Sequence, residues 1–141
     1  MNINLKNILG GSDPNTAIIF SKSSGPESPM DIHRALIANG LVPLRGDYKK
    51  LPAIMSTMEA ISLMVPKSTK VAIVIEDNDL DAASLEKIRQ LVVDRSFSHW
   101  SLDNDARIII ISDNKPSMFR QALKGNAAFA GRHNHERSLT A

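Results

Sequence analysis

Two stretches of this sequence place acidic and amide side chains directly after runs of apolar residues. Residues 71–79 (VAIVIEDND) end in a segment that contains Glu76 and Asp77, and residues 106–114 (ARIIIISDN) end in Asn114. Runs rich in Val and Ile are typical of strands that are buried on both faces of a parallel sheet. Because ligands bind beyond the carboxyl ends of such strands, these residue types predict a phosphate and metal site at that edge.

The elements that must position these residues follow from the spacing of apolar and turn residues. Ser28, Pro29 and Asp31 form a capping-box-like start of a helix, and Asn39 and Gly40 are typical of its end. The remaining pattern predicts strands at 16–20, 41–44, 71–75 and 108–111, helices at 51–65, 81–94 and 116–124, and a small hairpin within 95–105. Alternation of strands and helices along the chain predicts an α/β fold, with a mainly parallel sheet and flanking helices.

Length and composition limit the class of protein. A chain of 141 residues suits one domain, and 43% hydrophobic residues exclude a disordered protein. We expect an N-terminal arm at 1–15, an α/β domain at 16–125 and a C-terminal tail at 126–141. The absence of cysteine excludes disulfides and thiol chemistry. Without a signal peptide or a run of about 20 apolar residues, we expect a cytoplasmic protein that has no membrane partner.

The order of these features along the chain resembles the core of the MoxR-type AAA+ ATPases. The order is a strand, an acidic pair, a helix, a hairpin, a second strand, an Asn and a final Ala-Gly-Arg-His. The matching segments, strongest between residues 71 and 132, are IEDND at 75–79, VDR at 93–95, FSHWSL at 97–102, RIIIISDN at 107–114 and AAFAGR at 127–132. The resemblance implies an AAA+/P-loop-like three-layer core. It also implies that Arg132 matches the arginine finger and Asn114 the sensor of that family.

The segment that matches the phosphate-binding loop departs from the family pattern. Lys22, Ser23, Ser24, Gly25 and Ser28 are the residues that the resemblance assigns to cofactor binding. However, the loop has a single Gly, and Glu27 stands where the family has Lys. A carboxylate about 4 Å from a phosphate raises the energy by several kcal/mol at an effective dielectric constant near 20. Tight binding of ATP in the family's usual mode is therefore not expected.

The acidic pair is also reversed, because the family places Asp first to hold Mg²⁺ and Glu second to activate water. The resemblance would make Glu76 and Asp77 the metal ligands, and these two residues with Asn114 and Arg132 the catalytic set. Glu76 and Asp77 are equally well explained as solvated acids at a strand end, and Asn114 as part of a common Asp-Asn turn. Arg132 is explained as a surface residue. The sequence also lacks a match to the family's helical lid domain, so we expect a truncated relative.

These observations lead to one main hypothesis and two alternatives. The main one is a catalytically degenerate AAA+-like domain, without a cofactor, that acts through protein–protein contact. It would assemble with an ATPase partner, an intact relative, or with itself, through the edge bearing Arg132 and the hairpin around Trp100. The first alternative is a divergent nucleotide hydrolase that uses ATP and Mg²⁺. The second is a small basic protein that binds nucleic acid, which a net charge of +2 permits without indicating it. Whether Phe97 and Trp100 are exposed stays open at this stage.

Overall fold

The computed structural model describes residue 7 and residues 14–22, 28–64 and 70–129. The strands are β1 (Ala17–Ser21), β2 (Leu41–Gly46), β3 (Lys70–Asp77), β4 (Ser96–Phe97), β5 (Trp100–Ser101), β6 (Arg107–Ser112) and β7 (Ala127–Phe129). The helices of these ranges are α1 (Pro29–Ala38), α2 (Leu51–Met64), α3 (Ala82–Val93) and α4 (Pro116–Leu123), and a 3-10 turn (Tyr48–Lys50) precedes α2. The order confirms the predicted alternation of strands and helices.

Five of the strands form one parallel sheet in the order β2-β3-β6-β1-β7. The register pairs Val74 of β3 with Ile109 of β6, and Ile109 with Ile18 of β1. The central strands are apolar at successive positions because both of their faces are covered, and residues 72–75 and 108–111 have no exposed surface. The predicted α/β class and the mainly parallel sheet are confirmed.

The helices lie on both sides of the sheet, which makes three layers. Helix α1 packs through Ile32 and Leu36 on the face formed by residues such as Phe20, Val74 and Ile111. Helices α2, α3 and α4 pack on the opposite face, where the larger core cluster contains Met55, Ile88, Phe119, Ile73 and Ile110.

The distribution of helices follows from the direction of each connection. The connection from β1 to β2 passes two strands towards one edge, whereas the connections that leave β2, β3 and β6 run towards the other edge. Crossovers between parallel strands are right-handed in nearly all proteins, so the two directions place their helices on opposite faces. Helix α1 therefore lies across the sheet from the other three.

One strand lies outside the predicted domain boundaries. Strand β7 extends the sheet to Phe129, although the sequence placed the domain end at residue 125 and a tail from 126. Its residues are small or apolar and buried against β1, which the alternation of strands and helices alone did not reveal.

In the described ranges, no helix combines the length and the apolar character needed to cross a membrane.

Candidate functional site

The candidate site lies at the carboxyl edge of the sheet, where β1 and β6 are neighbours. The chain leaves β1 towards α1 on one face and leaves β6 towards α4 on the other face. Adjacent strands that send their connections to opposite faces open a crevice, which is the usual ligand position in open α/β sheets. At the base of this crevice, the backbone N–H of Lys22 donates to the carbonyl of Ser112 at 3.1 Å.

The first turn of α1 is where an anion would be held, and it is closed by its own side chains. Ser28 Oγ accepts a hydrogen bond from the N–H of Asp31 at 3.1 Å, and Asp31 Oδ2 accepts one from the N–H of Ser28 at 3.2 Å. Pro29 has no N–H to offer. Phosphate binding at a helix start needs free N–H groups, so this capping box removes donors that a phosphate would use.

The charge of the same turn also disfavours an anion. The hydrogen bond from the backbone N–H of Ser28 is the main reason that the pKa of the Asp31 carboxyl is lowered. Asp31 is therefore ionised at neutral pH and supplies the negative charge that the positive end of the helix dipole favours. A phosphate at this position would have to lie beside that carboxylate.

The carboxylate of Glu76 is held by two cationic or polar side chains from other elements. Its Oε2 accepts a hydrogen bond from Arg45 Nε of β2 at 3.0 Å and lies 3.0 Å from His33 Nε2 of α1. Glu76 and His33 are both largely buried, whereas the Arg45 side chain is half exposed. One of the two carboxylate oxygens of Glu76 is therefore shared between two partners inside the chain.

His33 is nearly fully buried, with 4% of its surface exposed. Burial is the main cause that lowers the pKa of His33, the charge of Arg45 acts in the same direction, and Glu76 opposes both. A neutral ring that donates from Nε2 to Glu76 leaves Nδ1 as an acceptor. That Nδ1 has no hydrogen-bond partner and is the sole such buried side-chain N or O atom among the described residues.

Asp77 faces the opposite side of the sheet from Glu76, because successive side chains alternate along a strand. Its Oδ2 accepts a hydrogen bond from the backbone N–H of Tyr48 at 2.7 Å, which fixes the start of the 3-10 turn between β2 and α2. Asp77 lies in register with Ser112 of β6, and Ser112 with Ser21 of β1. Glu76 and Asp77 therefore do not converge on one point.

Asn114 is bound to the loop that follows β3. Its Oδ1 accepts hydrogen bonds from the N–H of Leu80 at 2.8 Å and from Ser112 Oγ at 2.6 Å. Its Nδ2 donates to the carbonyl of Leu80 at 3.0 Å and has longer contacts to Asp79 at 3.4 Å and Met118 at 3.5 Å. The side-chain amide thus pairs with both backbone groups of Leu80 in the way that a neighbouring strand would.

The structure brings some of the predicted site residues to one edge and separates others. Glu76, Asp77, Asn114 and Lys22 all lie at the carboxyl ends of β3, β6 and β1, as the sequence predicted. The proposed roles of Ser23, Ser24, Gly25 and Arg132 concern residues outside the described ranges, and Glu27 lies outside them as well.

The described residues do not fit the Mg²⁺ and ATP of the family resemblance. The two acids face opposite sides of the sheet, and each has an intramolecular partner. Three or more His, Asp and Glu side chains grouped to hold a metal ion are not found in the described part of the chain. At the start of α1, Pro29 has no N–H, and the N–H groups of Ser28 and Asp31 already donate within the capping box.

The hairpin between α3 and β6 is docked on the domain. Phe97 and Trp100 are partly buried against the larger core cluster, with ring centroids 6.5 Å apart. Trp100 Nε1 donates to Glu59 Oε1 of α2 at 3.4 Å. Arg95 holds the base of the hairpin through hydrogen bonds to the carbonyls of Pro14, Asp103 and Ala106. Phe97 and Trp100 are therefore partly buried and are not fully exposed to solvent.

The two residues that contact the Glu76 carboxylate, His33 and Arg45, were not predicted from the sequence. His33 lies beside Ile32 on the buried face of α1, and a His within the apolar stripe of a helix was the available signal. Arg45 lies near the end of β2, and no distinctive motif surrounds it. Neither residue could be paired with Glu76 before the strand order was known.

Comparison with models of protein families gives no match, and comparison with curated proteins gives none either.

Proposed function

We propose that this chain is a catalytically degenerate AAA+-like domain that acts through contact with protein partners. The observation that carries the proposal is that the candidate catalytic groups at the carboxyl edge already have partners within the chain. Glu76 is bound by His33 and Arg45, Asp77 by the N–H of Tyr48, and Asn114 by Leu80. In a working site, such groups stay available for ligand, metal or water.

The arrangement of the parallel sheet supports the AAA+-like part of the proposal. The resemblance implies acids at the end of one strand and an Asn after a later one, which is compatible with Glu76 and Asp77 at the end of β3 and Asn114 after β6. One scaffold is compatible with many functions, so function must be argued from the site. Here the site contributes hydrogen bonds to the fold, which favours a binding role over a chemical one.

Titration calorimetry with ATP and Mg²⁺ tests the degenerate site directly. We expect no heat of binding at micromolar nucleotide, because the start of α1 is capped and carries the Asp31 carboxylate. Binding with a micromolar dissociation constant would overturn the proposal. Inorganic phosphate alone, titrated in the same way, tests whether any anion enters the crevice.

An assay of ATP hydrolysis separates the proposal from the divergent hydrolase. The matched variants are Asp77→Ala and Asp77→Asn, because Asn keeps an oxygen that can accept from the N–H of Tyr48, whereas Ala does not. We expect no hydrolysis above background in the wild type. Hydrolysis that both variants abolish, at unchanged folded content, would assign Asp77 a chemical role and refute the hypothesis of a degenerate site.

A further inference from the structure

Helix α1 ends in a pair of residues whose side chain and backbone can react with each other. Asn39 caps the C-terminal end of α1, and Gly40 follows it with φ +82°, a left-handed conformation that glycine favours. The backbone nitrogen of such a Gly can attack Cγ of the Asn side chain. A C–N bond forms, the side-chain nitrogen takes up the N–H proton and leaves as ammonia, and a five-membered succinimide results. Water then opens this ring to Asp or to isoaspartate.

The attacking nitrogen of Gly40 is poorly shielded. Asn39 and Gly40 are both exposed, and among the described residues no atom beyond the chain neighbours lies within 4 Å of the position that a Cβ of Gly40 would occupy. Any other residue would place a side chain beside this nitrogen. The left-handed conformation that ends α1 therefore favours the residue type that leaves the nitrogen most open to reaction.

The folded end of α1 opposes the attack in three ways. The N–H of Gly40 donates to the carbonyl of Ile37 at 3.0 Å, which directs it away from the side chain of Asn39. Asn39 Nδ2 donates to the carbonyl of Ala35 at 2.7 Å, which holds the leaving group against the helix. The ψ of Asn39 is 14°, which turns the Gly40 nitrogen towards the backbone nitrogen of Asn39 and away from its Cβ. Ring closure therefore requires rotation about the Cα–C bond of Asn39 and loss of the hydrogen bond to Ile37.

We propose that Asn39 is a site of spontaneous deamidation whose rate is controlled by opening of the last turn of α1. The ends of helices open locally far more often than a whole domain unfolds. In such an opening the hydrogen bonds to Ala35 and Ile37 are absent, and Asn39 can rotate to the ψ that ring closure needs. Water is the sole co-reactant. The pair lies at the edge of the sheet opposite the candidate site, because β2 begins at Leu41, so the reaction is independent of the proposed binding role.

The products should weaken the junction of α1 and β2. A carboxylate at position 39 has no N–H to donate to the carbonyl of Ala35, and the C-terminal end of a helix disfavours negative charge. Isoaspartate adds one carbon to the backbone directly before Leu41, whose register with Lys70 it would disturb. Asn39→Asp, which is one of the two products, should therefore unfold at a lower urea concentration than the wild type. An unchanged midpoint would contradict this consequence.

Peptide mapping measures the reaction without interference from other amides. Tryptic cleavage after Arg34 and Arg45 releases residues 35–45 (ALIANGLVPLR), in which Asn39 is the only Asn or Gln. The full chain and a synthetic peptide of residues 35–45 are incubated in the same mildly alkaline buffer, and mass spectrometry gives the deamidated fraction over time. We expect the free peptide to deamidate, and the folded chain to do so more slowly by roughly tenfold or more, because few molecules have an open helix end at any time.

Two Ala→Gly variants locate the opening that controls the rate. Ala38→Gly, at the last residue of α1, weakens the helix end and should raise the rate in the folded chain about fivefold. Ala60→Gly makes the same change at an exposed position within α2 and should leave the rate unchanged. A peptide that does not deamidate, or a folded chain that deamidates as fast as the peptide, would overturn the inference. A rate that Ala38→Gly raises no more than Ala60→Gly does would also overturn it, because the end of α1 would then not control the reaction.

Discussion

Replacing Asn114 with Ala removes the amide that joins the end of β6 to the loop after β3. Three short hydrogen bonds are lost, two with the backbone of Leu80 and one with Ser112 Oγ. Each intramolecular hydrogen bond contributes about 0.5–1.5 kcal/mol net, and a buried group left without a partner costs about 1–3 kcal/mol. Leu80 is only 2% exposed, so water cannot easily replace the lost amide. We expect the free energy of unfolding to fall by about 3 kcal/mol.

Urea denaturation followed by circular dichroism measures this change. With a slope of about 2 kcal/mol per molar urea, the midpoint should fall by roughly 1.5 M. Asn114→Asp is an intermediate variant, since its carboxylate keeps the two acceptor contacts but faces the carbonyl of Leu80 without a donor. Asn104→Ala, at an exposed turn position, is the matched control and should change stability by less than about 0.5 kcal/mol.

The measurement also distinguishes the structural role of Asn114 from the sensor role that the resemblance implies. A sensor residue whose side chain stays available for a ligand would contribute little to the stability of the free chain. If Asn114→Ala unfolds at the same urea concentration as the Asn104→Ala control, the hydrogen bonds of Asn114 with Leu80 and Ser112 do not stabilise the fold. That result would refute the reasoning behind the degenerate site.

Substitutions at three further residues test the remaining contacts of the carboxyl edge. Burial lowers the pKa of His33 below its usual 6.5, so the unfolded chain binds the proton more strongly than the folded chain. The contribution of a neutral His33 to the free energy of unfolding should therefore be fully present above about pH 6.5. Below that pH, thermal melts should show the stability fall by up to about 1.4 kcal/mol per pH unit. His33→Gln should flatten this profile between pH 5 and 7, and an unchanged profile would contradict the assignment. Asp77→Ala should destabilise by about 1–2 kcal/mol and Asp77→Asn by less, because Asn keeps an acceptor for the N–H of Tyr48; equal losses in urea melts would refute this. Ser28→Ala should cost about 1 kcal/mol through loss of the N-cap, whereas Ser28→Asp should cost little, and a neutral Ala variant would contradict the capping box.

The parts of the fold that depend on local pattern were predictable from the sequence. Runs such as residues 108–111 are apolar at every position, which is typical of a strand covered on both faces. The spacing of Ser28, Pro29 and Asp31 predicted the start of α1, and the same capping box is present in the structure. Since parallel strands align their carboxyl ends, the placement of Glu76 and Asn114 at one edge followed as well.

The partners of these residues were not predictable, because they depend on contacts between distant elements. Glu76 meets His33 across 43 positions of sequence and Arg45 across 31. These contacts require α1 to lie over β3 and β2 to pair with β3 in the observed register, and a shift of one residue would turn Glu76 to the other face. Local sequence carries no signal for either condition.

The opposite directions of Glu76 and Asp77 explain why an acidic pair that resembles a metal site contributes to folding instead. One carboxylate joins α1 and β2 to the sheet from one face, and the other fixes the 3-10 turn before α2 from the opposite face. An ion that gathered both would have to break these contacts and leave the N–H of Tyr48 and the buried ring of His33 without partners. Because buried groups without partners are costly, the present arrangement of the two carboxylates opposes metal binding even though both charges remain.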